Sequence, residues 1–282
     1  MGAGMADGAE FSVKFWGVRG SIACPGPATV RYGGNTSCLE VRCGGRLLIM
    51  DGGTGLRELG SDLLSAREPM DVDLFLTHTH FDHVNGLPFF VPMFMKRNTF
   101  HLWAGHLLPQ YTLKYVLGEM MLAPLFPVPP EVFQAQICYH DFLAGETLNP
   151  RPGITLKTAR LNHPNNATGY RIEFAGKAIC YCTDTEHFPD RLDRNILELA
   201  RGADILIYDA CYTDEEYAKY QGWGHSTWQA GAKLSDAAGV RQFVIFHHDP
   251  GHDDAFMDRV AEAAAAHRPG TVVAREGMVL RP

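Results

Sequence analysis

The amino-acid sequence predicts an α/β protein in which helices pack on the outside of two stacked β-sheets, and three observations carry that reading. Strand-like runs dominate the first part of the chain, whereas strands and helices alternate through its last third. No repeat, low-complexity tract or linker composition divides the 282 residues, so one domain over 1–282 is expected. The histidines and aspartates that stand out fall just past predicted strand ends, where loops held by a rigid sheet usually carry chemistry.

Taken in order, residues 11–16, 37–42 and 46–50 alternate or run apolar at strand length, with a Gly/Pro-rich loop over 17–34 between the first two. Asp51-Gly52-Gly53-Thr54-Gly55 breaks the chain before a helical pattern at 56–67, in which Leu59, Leu63 and Leu64 share a face. Residues 72–76 read as a short buried strand. The middle is less regular: 89–95 is apolar around Pro92, 111–122 reads as a helix, and 124–130 holds four prolines and reads as a loop. Strand-like runs follow at 135–141, 154–161, 169–174 and 178–182. The alternating third comprises helix 192–200, strand 205–209, helix 227–238, strand 243–246, helix 254–267 and strand 271–275.

Composition narrows the class. Hydrophobic residues at 46% and charged residues at 20% describe an ordinary globular chain, long enough to bury a core without disulfide staples. A net charge of −7 argues against a general binder of phosphate backbones, while leaving room for a local basic pocket. The seven cysteines are odd in number and form no CxxC pair, which indicates neither a disulfide framework nor a zinc ribbon. Residues 1–10 lack the basic and apolar segments of a signal peptide, and no stretch approaches membrane-spanning length. A cytoplasmic protein without a membrane partner is expected; homo-oligomers are compatible with this composition.

The chemistry concentrates after strand 72–76, at His78-Thr79-His80-Phe81-Asp82-His83. Three imidazoles and a carboxylate within six residues are hard to explain as packing, and such nitrogens suit zinc and its neighbours. In an extended turn His78 and His80 project to one side, and Asp82 and His83 can turn toward a second ion as a helix begins. Four ligands cannot complete two sites, so others must come from later strand ends. Candidates are His163, Asp184 and one of His247 and His248, which point to opposite faces; His247 is the better placed, as the first residue past its strand. Asp51 is expected to buttress the histidine loop.

On these residues the chain resembles the metallo-β-lactamase fold superfamily, whose HxHxDH motif is matched by His78, His80, Asp82 and His83. The similarity runs from Phe15-Trp16-Gly17 to Gly277-Met278-Val279. It implies a four-layer αββα sandwich with two divalent metal ions at one edge of the sheets. By that resemblance His78, His80 and His163 hold one ion, Asp82, His83 and His247 the other, and Asp184 bridges them; zinc is the first choice, with manganese or iron as alternatives. Gly224-His225-Ser226-Thr227 and Ile207-Tyr208-Asp209-Ala210-Cys211 resemble the phosphodiesterase branch, which includes ribonuclease Z and the phosphoribosyl cyclic phosphate phosphodiesterases. Asn162-His163 with Gly169-Tyr170, and Asp184-Thr185, are similar to the latter. In ribonuclease Z a glutamate stands where this chain has Asp209 and orients the counterpart of His225. The long Gly/Pro-rich arm by which ribonuclease Z grips tRNA is missing here, and Cys24 alone does not reproduce the cysteine-rich zinc loop of the phosphoribosyl enzymes.

The resemblance thus implies a hydrolase for a small or cyclic phosphodiester rather than tRNA, with His225, Asp209 and Asp82 as catalytic residues. Lactone or thioester hydrolysis by the same cage is the alternative, and a metal-stabilised binding module without turnover is a third reading. A redox di-iron protein fits less well, because that class resembles HxExDH and position 80 is histidine. Arg19, Arg31, Asn35 and Ser37 flank the first glycine-rich loop and are candidates to meet a phosphate, against a reading as turn and surface residues. Trp223 either stacks on a base or sugar or packs in the core. His187, His248 and His252 are read as pocket lining or solvated loop, and His101, His106, His140 and His267 as structure or surface.

Overall fold

Strand-forming segments alternate with turns to give β1 (Phe11–Gly17), β2 (Cys38–Cys43), β3 (Arg46–Met50), β4 (Asp71–Leu76), β5 (Thr99–Ala104) and β6 (Gln136–Asp141). They continue as β7 (Thr147–Arg151), β8 (Ile154–Leu161), β9 (Ala167–Phe174), β10 (Lys177–Cys182), β11 (Ile205–Asp209), β12 (Gln242–Phe246), β13 (Val272–Val273) and β14 (Val279–Leu280). The computed structural model describes residues 10–66 and 68–282. The segment read above at 1–10, Glu10 apart, lies outside the described residues, as does Arg67 at the end of the first predicted helix. One seven-stranded sheet has the order β14-β1-β2-β3-β4-β5-β6, and the other β13-β12-β11-β10-β9-β8-β7.

Both faces of each sheet are covered, and the sequence of β3 shows why it reads as an unbroken apolar run. Leu48 and Met50 face the other sheet, where they join Phe15, Phe75, Tyr170, Ile172, Tyr181 and Phe246 in the central core. Leu47 and Ile49, on the opposite face by the two-residue period of a strand, pack beneath Leu56, Leu59 and Leu63 of α1 (Gly55–Leu63). The short α2 (Phe81–Val84) and α3 (Leu113–Met120) lie further along the chain. On the far side α4 (Arg194–Ala200), α6 (Trp228–Ala238) and α7 (Asp254–His267) cover Cys180, Leu206, Tyr208 and Phe243. The result is the αββα sandwich expected from the sequence.

Strand direction decides where the loops go. β3, β4 and β5 run parallel, as do β10, β11 and β12. β8 is antiparallel to β9, which is antiparallel to β10, so β8 points the same way as β10. The residues that follow β3, β4, β8, β10, β11 and β12 leave from carboxyl ends, the usual place for ligand sites in such sheets.

Of the elements that escape the sequence reading, three do so for a clear physical reason. β7 contains Pro150, which a central strand would not tolerate, but β7 is an edge strand. The helix α5 (Asp214–Tyr220) buries no residue and so shows no apolar face; a capping box between Thr213 and Glu216 starts it. In β5 the apolar residues alternate with His101 and Trp103, whose rings lie against His140. The strand predicted at 271–275 is only two residues long.

The glycine-rich turn after β3 is packed against the histidine loop. A Cβ at Gly53 would collide with the Asp82 carbonyl oxygen, the Thr36 hydroxyl and the Ser37 carbonyl oxygen, whereas one at Gly118, inside α3, would meet nothing. Gly53→Ala is expected to cost roughly 1–3 kcal/mol of stability. Gly118→Ala should add about 0.5–1 kcal/mol through helix propensity. Urea midpoints at constant m-value check both, and equal midpoints for the two variants would contradict this packing.

Candidate metal centre

Asp51, the first residue after β3, anchors the rim. It is fully buried and accepts hydrogen bonds from the Thr77 backbone N–H (2.7 Å), the Thr77 hydroxyl, the Tyr181 hydroxyl (2.8 Å) and His83 Nδ1 (2.9 Å). The bond from Nδ1 fixes the His83 tautomer and turns Nε2, with its lone pair, away from Asp51. Thr77 continues the relay, its hydroxyl lying 3.1 Å from His78 Nδ1. His163 is fixed likewise: its Nδ1 donates to the Gly224 carbonyl at 2.8 Å.

The inward atoms form two groups that meet at Asp184. His80 Nδ1 lies 2.9 Å from His78 Nε2 and 3.1 Å from His163 Nε2, and Asp184 Oδ1 is 3.7 Å from each of those two Nε2 atoms. In the second group Asp82 Oδ2 lies 3.3 Å from both His83 Nε2 and His247 Nε2. Asp184 Oδ2 is 3.1 Å and 3.3 Å from those same two nitrogens. One carboxylate therefore presents a different oxygen to each group.

This donor set fits divalent cations. Two nitrogens bound tetrahedrally to one zinc ion would lie about 3.3 Å apart, near the separations found here. His83 Nε2 is buried with no hydrogen-bond partner among the described residues, although two carboxylates face it, as expected of a ligand atom. Burial, reinforced by neighbouring His83, pushes the His78 imidazole well below its usual range and keeps it neutral. Burial alone would raise the Asp184 carboxyl, but His247, His83 and His78 hold it well below the ordinary carboxylate range.

Local backbone strain aims the ligands. Asp51, Asp184 and His247 have φ of 60°, 59° and 63°, a left-handed conformation uncommon outside glycine. Each follows a strand by one or two residues, and each costs roughly 1–3 kcal/mol unless the surroundings enforce it. At the end of β12 this turn separates the neighbours: His247 faces Asp82 and Asp184, while His248 Nε2 donates to the Ala274 carbonyl at 2.8 Å.

His225 lies between the two groups, its ring 4.9 Å from His247 and 5.3 Å from His163. Its Nδ1 donates to Asp209 Oδ2 at 2.8 Å, so the shorter side chain of aspartate does reach. Asp209 is held in turn by the backbone N–H groups of Thr185 and Cys211, both at 3.1 Å. Burial would depress the His225 imidazole, but the Asp209 carboxylate outweighs it and raises the group to about 9. Its Nε2 has no hydrogen-bond partner among the described residues.

The weaker candidates fall elsewhere. Arg19 is fully buried, with its guanidinium donating to the carbonyls of Gly33, Asp249 and His252, so it holds loops together and does not face a phosphate. Asn35 is bound through its backbone N–H and side-chain amide to Glu276. Arg31 pairs with Asp258, and Ser37 is buried. His187 contacts the Ser226 hydroxyl and His252 pairs with Glu216. Trp223 is 63% exposed, which rules out core packing and leaves its ring at the surface beside Tyr220.

Four residues with clear positions here went unread in the sequence. Thr77 links Asp51 to His78; Tyr181 reaches Asp51 from the other sheet; the Ser21 backbone N–H donates to Asp82 Oδ2 at 2.8 Å. Glu186 accepts from Tyr217, Gly222 and Gly224, and so pins the loop that carries His225. Adjacency to the motif was the only available signal for Thr77, and to Asp184 for Glu186.

Comparison with known proteins places the fold. Ribonuclease Z of Parabacteroides distasonis is 27% identical over 166 residues, 59% of this chain and 47% of that protein. The chain spans about half the length, or less, of the curated relatives it matches. Zinc-bound PqqB from Methylobacterium extorquens superposes with a TM-score of 0.71 at 17% identity, covering 96% of this chain and 100% of that one. A diphosphatase from the PhnP family gives 0.69 at 19% identity, over 97% and 98% of the two chains. The metallo-β-lactamase fold protein YhfI from Bacillus subtilis superposes with a TM-score of 0.71 at 16% identity, over 96% of this chain and 100% of that one, which establishes the metallo-β-lactamase fold. Residues 46–248 match the beta-lactamase superfamily domain, and with nearly three-quarters of its length matched the chain belongs to that family.

Proposed function

We propose that this chain is a binuclear metal-dependent hydrolase that cleaves small or cyclic phosphodiesters. The observation that carries the reading is Asp184, whose two oxygens face two separate groups of inward ligand atoms. His78, His80 and His163 would hold one ion, and Asp82, His83 and His247 the other, with Asp184 shared. The mixed nitrogen and oxygen donors favour zinc, with manganese or iron as alternatives. When bound, such a pair of ions supplies positive charge for phosphoryl oxygens and makes water a nucleophile at neutral pH.

The chain's own contribution is proton delivery and orientation. Asp209 holds the His225 ring through Nδ1, leaving Nε2 as the donor toward the leaving oxygen. As the P–O bond breaks, that oxygen takes the proton and leaves as an alcohol. Lactone and thioester hydrolysis would use the same ligands; the Asp209–His225 hydrogen bond, which holds an imidazole toward the leaving group, supports the phosphodiester. Small substrates are favoured over tRNA by the net charge of −7. The ribonuclease Z name of the curated relatives supports RNA cleavage as the second reading, and precursor tRNA beside bis-p-nitrophenyl phosphate in one assay separates the two. One domain over 1–282 and a cytoplasmic setting belong to the same proposal; among the described residues no helix is long and apolar enough to cross a membrane.

His80→Ala is expected to lower metal content from about two ions per chain and to abolish hydrolysis, as read by elemental analysis and turnover. Full occupancy with full activity would remove His80 from the cage. The neighbouring histidines after β12 give a sharper contrast. His247→Ala should lose metal and His248→Ala should keep it; the reverse pattern would place the second site elsewhere.

For the proton donor, His225→Ala should retain both ions while turnover drops by roughly 10²–10⁴. Asp209→Asn should also slow the reaction, and the double variant should lose less than the product of the two effects. Esters with p-nitrophenolate as leaving group, which needs little protonation, should suffer least. An equal loss for good and poor leaving groups would reassign His225 to charge stabilisation.

A further inference from the structure

Trp223 stands two residues before His225 and is the one exposed tryptophan of the four in the chain. Single apolar residues at a surface are ordinary, and what sets this one apart is how firmly its backbone is held. One carboxylate clamps both of its neighbours. Glu186 Oε1 accepts from the Gly222 backbone N–H at 2.7 Å, and Oε2 accepts from that of Gly224 at 2.9 Å. Gly222 and Gly224 have φ of 89° and 87°, so the chain turns sharply on either side of residue 223. A Cβ at Gly224 would collide with Pro164 and His163, and His163 Nδ1 donates to the Gly224 carbonyl. The turn that carries Trp223 is therefore seated directly on a candidate metal ligand.

A series of rings runs from the proton donor to this tryptophan. Tyr212 lies 6.2 Å from His225, Tyr220 stacks on Tyr212 at 4.5 Å, and Tyr220 meets the Trp223 ring edge to face at 5.5 Å. Whichever ring supplies the edge, a single contact of this kind leaves one face of the indole open. A flat apolar face that is already fixed in place loses little freedom when another ring settles on it. Offset stacking of two such rings also gains more than their buried area alone supplies. The position selects the part of the substrate that would be met. In the proposed reaction His225 serves the leaving oxygen, and Trp223 is carried on the same clamped turn.

We propose that Trp223 is a stacking platform for a flat aromatic or heteroaromatic ring on the leaving group of the substrate, and that Glu186 is the residue that positions it. The proposal rests on the phosphodiesterase reading and narrows it: the alcohol released carries a planar ring.

The test compares two diesters on the metal-loaded protein, methyl 2-phenylethyl phosphate and methyl 2-cyclohexylethyl phosphate. Their leaving alcohols differ little in size and acidity, so the ratio of the two KM values reports the flat ring. The phenyl ester should show a KM roughly three- to tenfold lower. Trp223→Ala should bring the ratio close to one, and Trp223→Phe, which keeps a flat ring, should retain most of the preference. Glu186→Gln should narrow the ratio as well, because an amide nitrogen cannot accept from a backbone N–H. An unchanged ratio in that variant would remove Glu186 from the platform. Equal KM values in the unaltered protein, or a preference that survives Trp223→Ala, would overturn the platform while leaving phosphodiester cleavage intact. If neither ester is cleaved, the phosphodiesterase reading fails. Calorimetric titration with the uncleaved phenyl ester then decides the platform separately: weaker binding to Trp223→Ala supports it, and unchanged binding overturns it.

Discussion

An ionised carboxylate removed from water is costly unless opposite charge or hydrogen-bond donors surround it, and Asp184 is 1% exposed at the centre of the rim. The Thr183 hydroxyl donates to Oδ2 at 2.8 Å, but among the described residues neither backbone N–H groups nor an arginine supplies the rest of its compensation. Imidazole nitrogens of His78 and His163 face one oxygen, and those of His83 and His247 the other. Neutral imidazoles with inward lone pairs would repel a carboxylate rather than solvate it. Protonated imidazoles would satisfy Asp184 but would crowd several positive charges within a few ångströms. Cations between the nitrogens and the oxygens would resolve the conflict, because every inward atom would then become a donor to a common positive centre.

The scaffold is arranged around that demand. Parallel pairing of β3 with β4, and of β10 with β11 and β12, sends the functional turns to one end of both sheets. Asp51 joins the sheets chemically, taking hydrogen bonds from Thr77 after β4 and from Tyr181 in β10. Left-handed turns at Asp51, Asp184 and His247 redirect the chain where a regular strand ending would leave the side chain pointing across the sheet. The central core behind them, including Phe75, Tyr170 and Phe246, is fully buried and provides the rigidity that holds such strain in place.

Much of this was legible in the sequence because ligand chemistry restricts residue type. His78, His80, Asp82 and His83 stand within six positions, and His163, Asp184 and His247 each follow an apolar run that does form a strand. Supporting residues were harder to read, since Thr77, Tyr181 and Glu186 are ordinary residue types whose meaning comes from distant partners. Arg19 and Asn35 misled for the opposite reason: polar residues beside a glycine-rich loop suggest anion contacts, but both bind protein groups.

The account stands on Asp184 being shared by two cations. Crystals of the chain grown with zinc, measured on both sides of the zinc absorption edge, test this directly. Two anomalous peaks about 3.5–4 Å apart, one on each side of Asp184, are predicted. A single peak at full occupancy, or two peaks that leave Asp184 outside both coordination spheres, would contradict it.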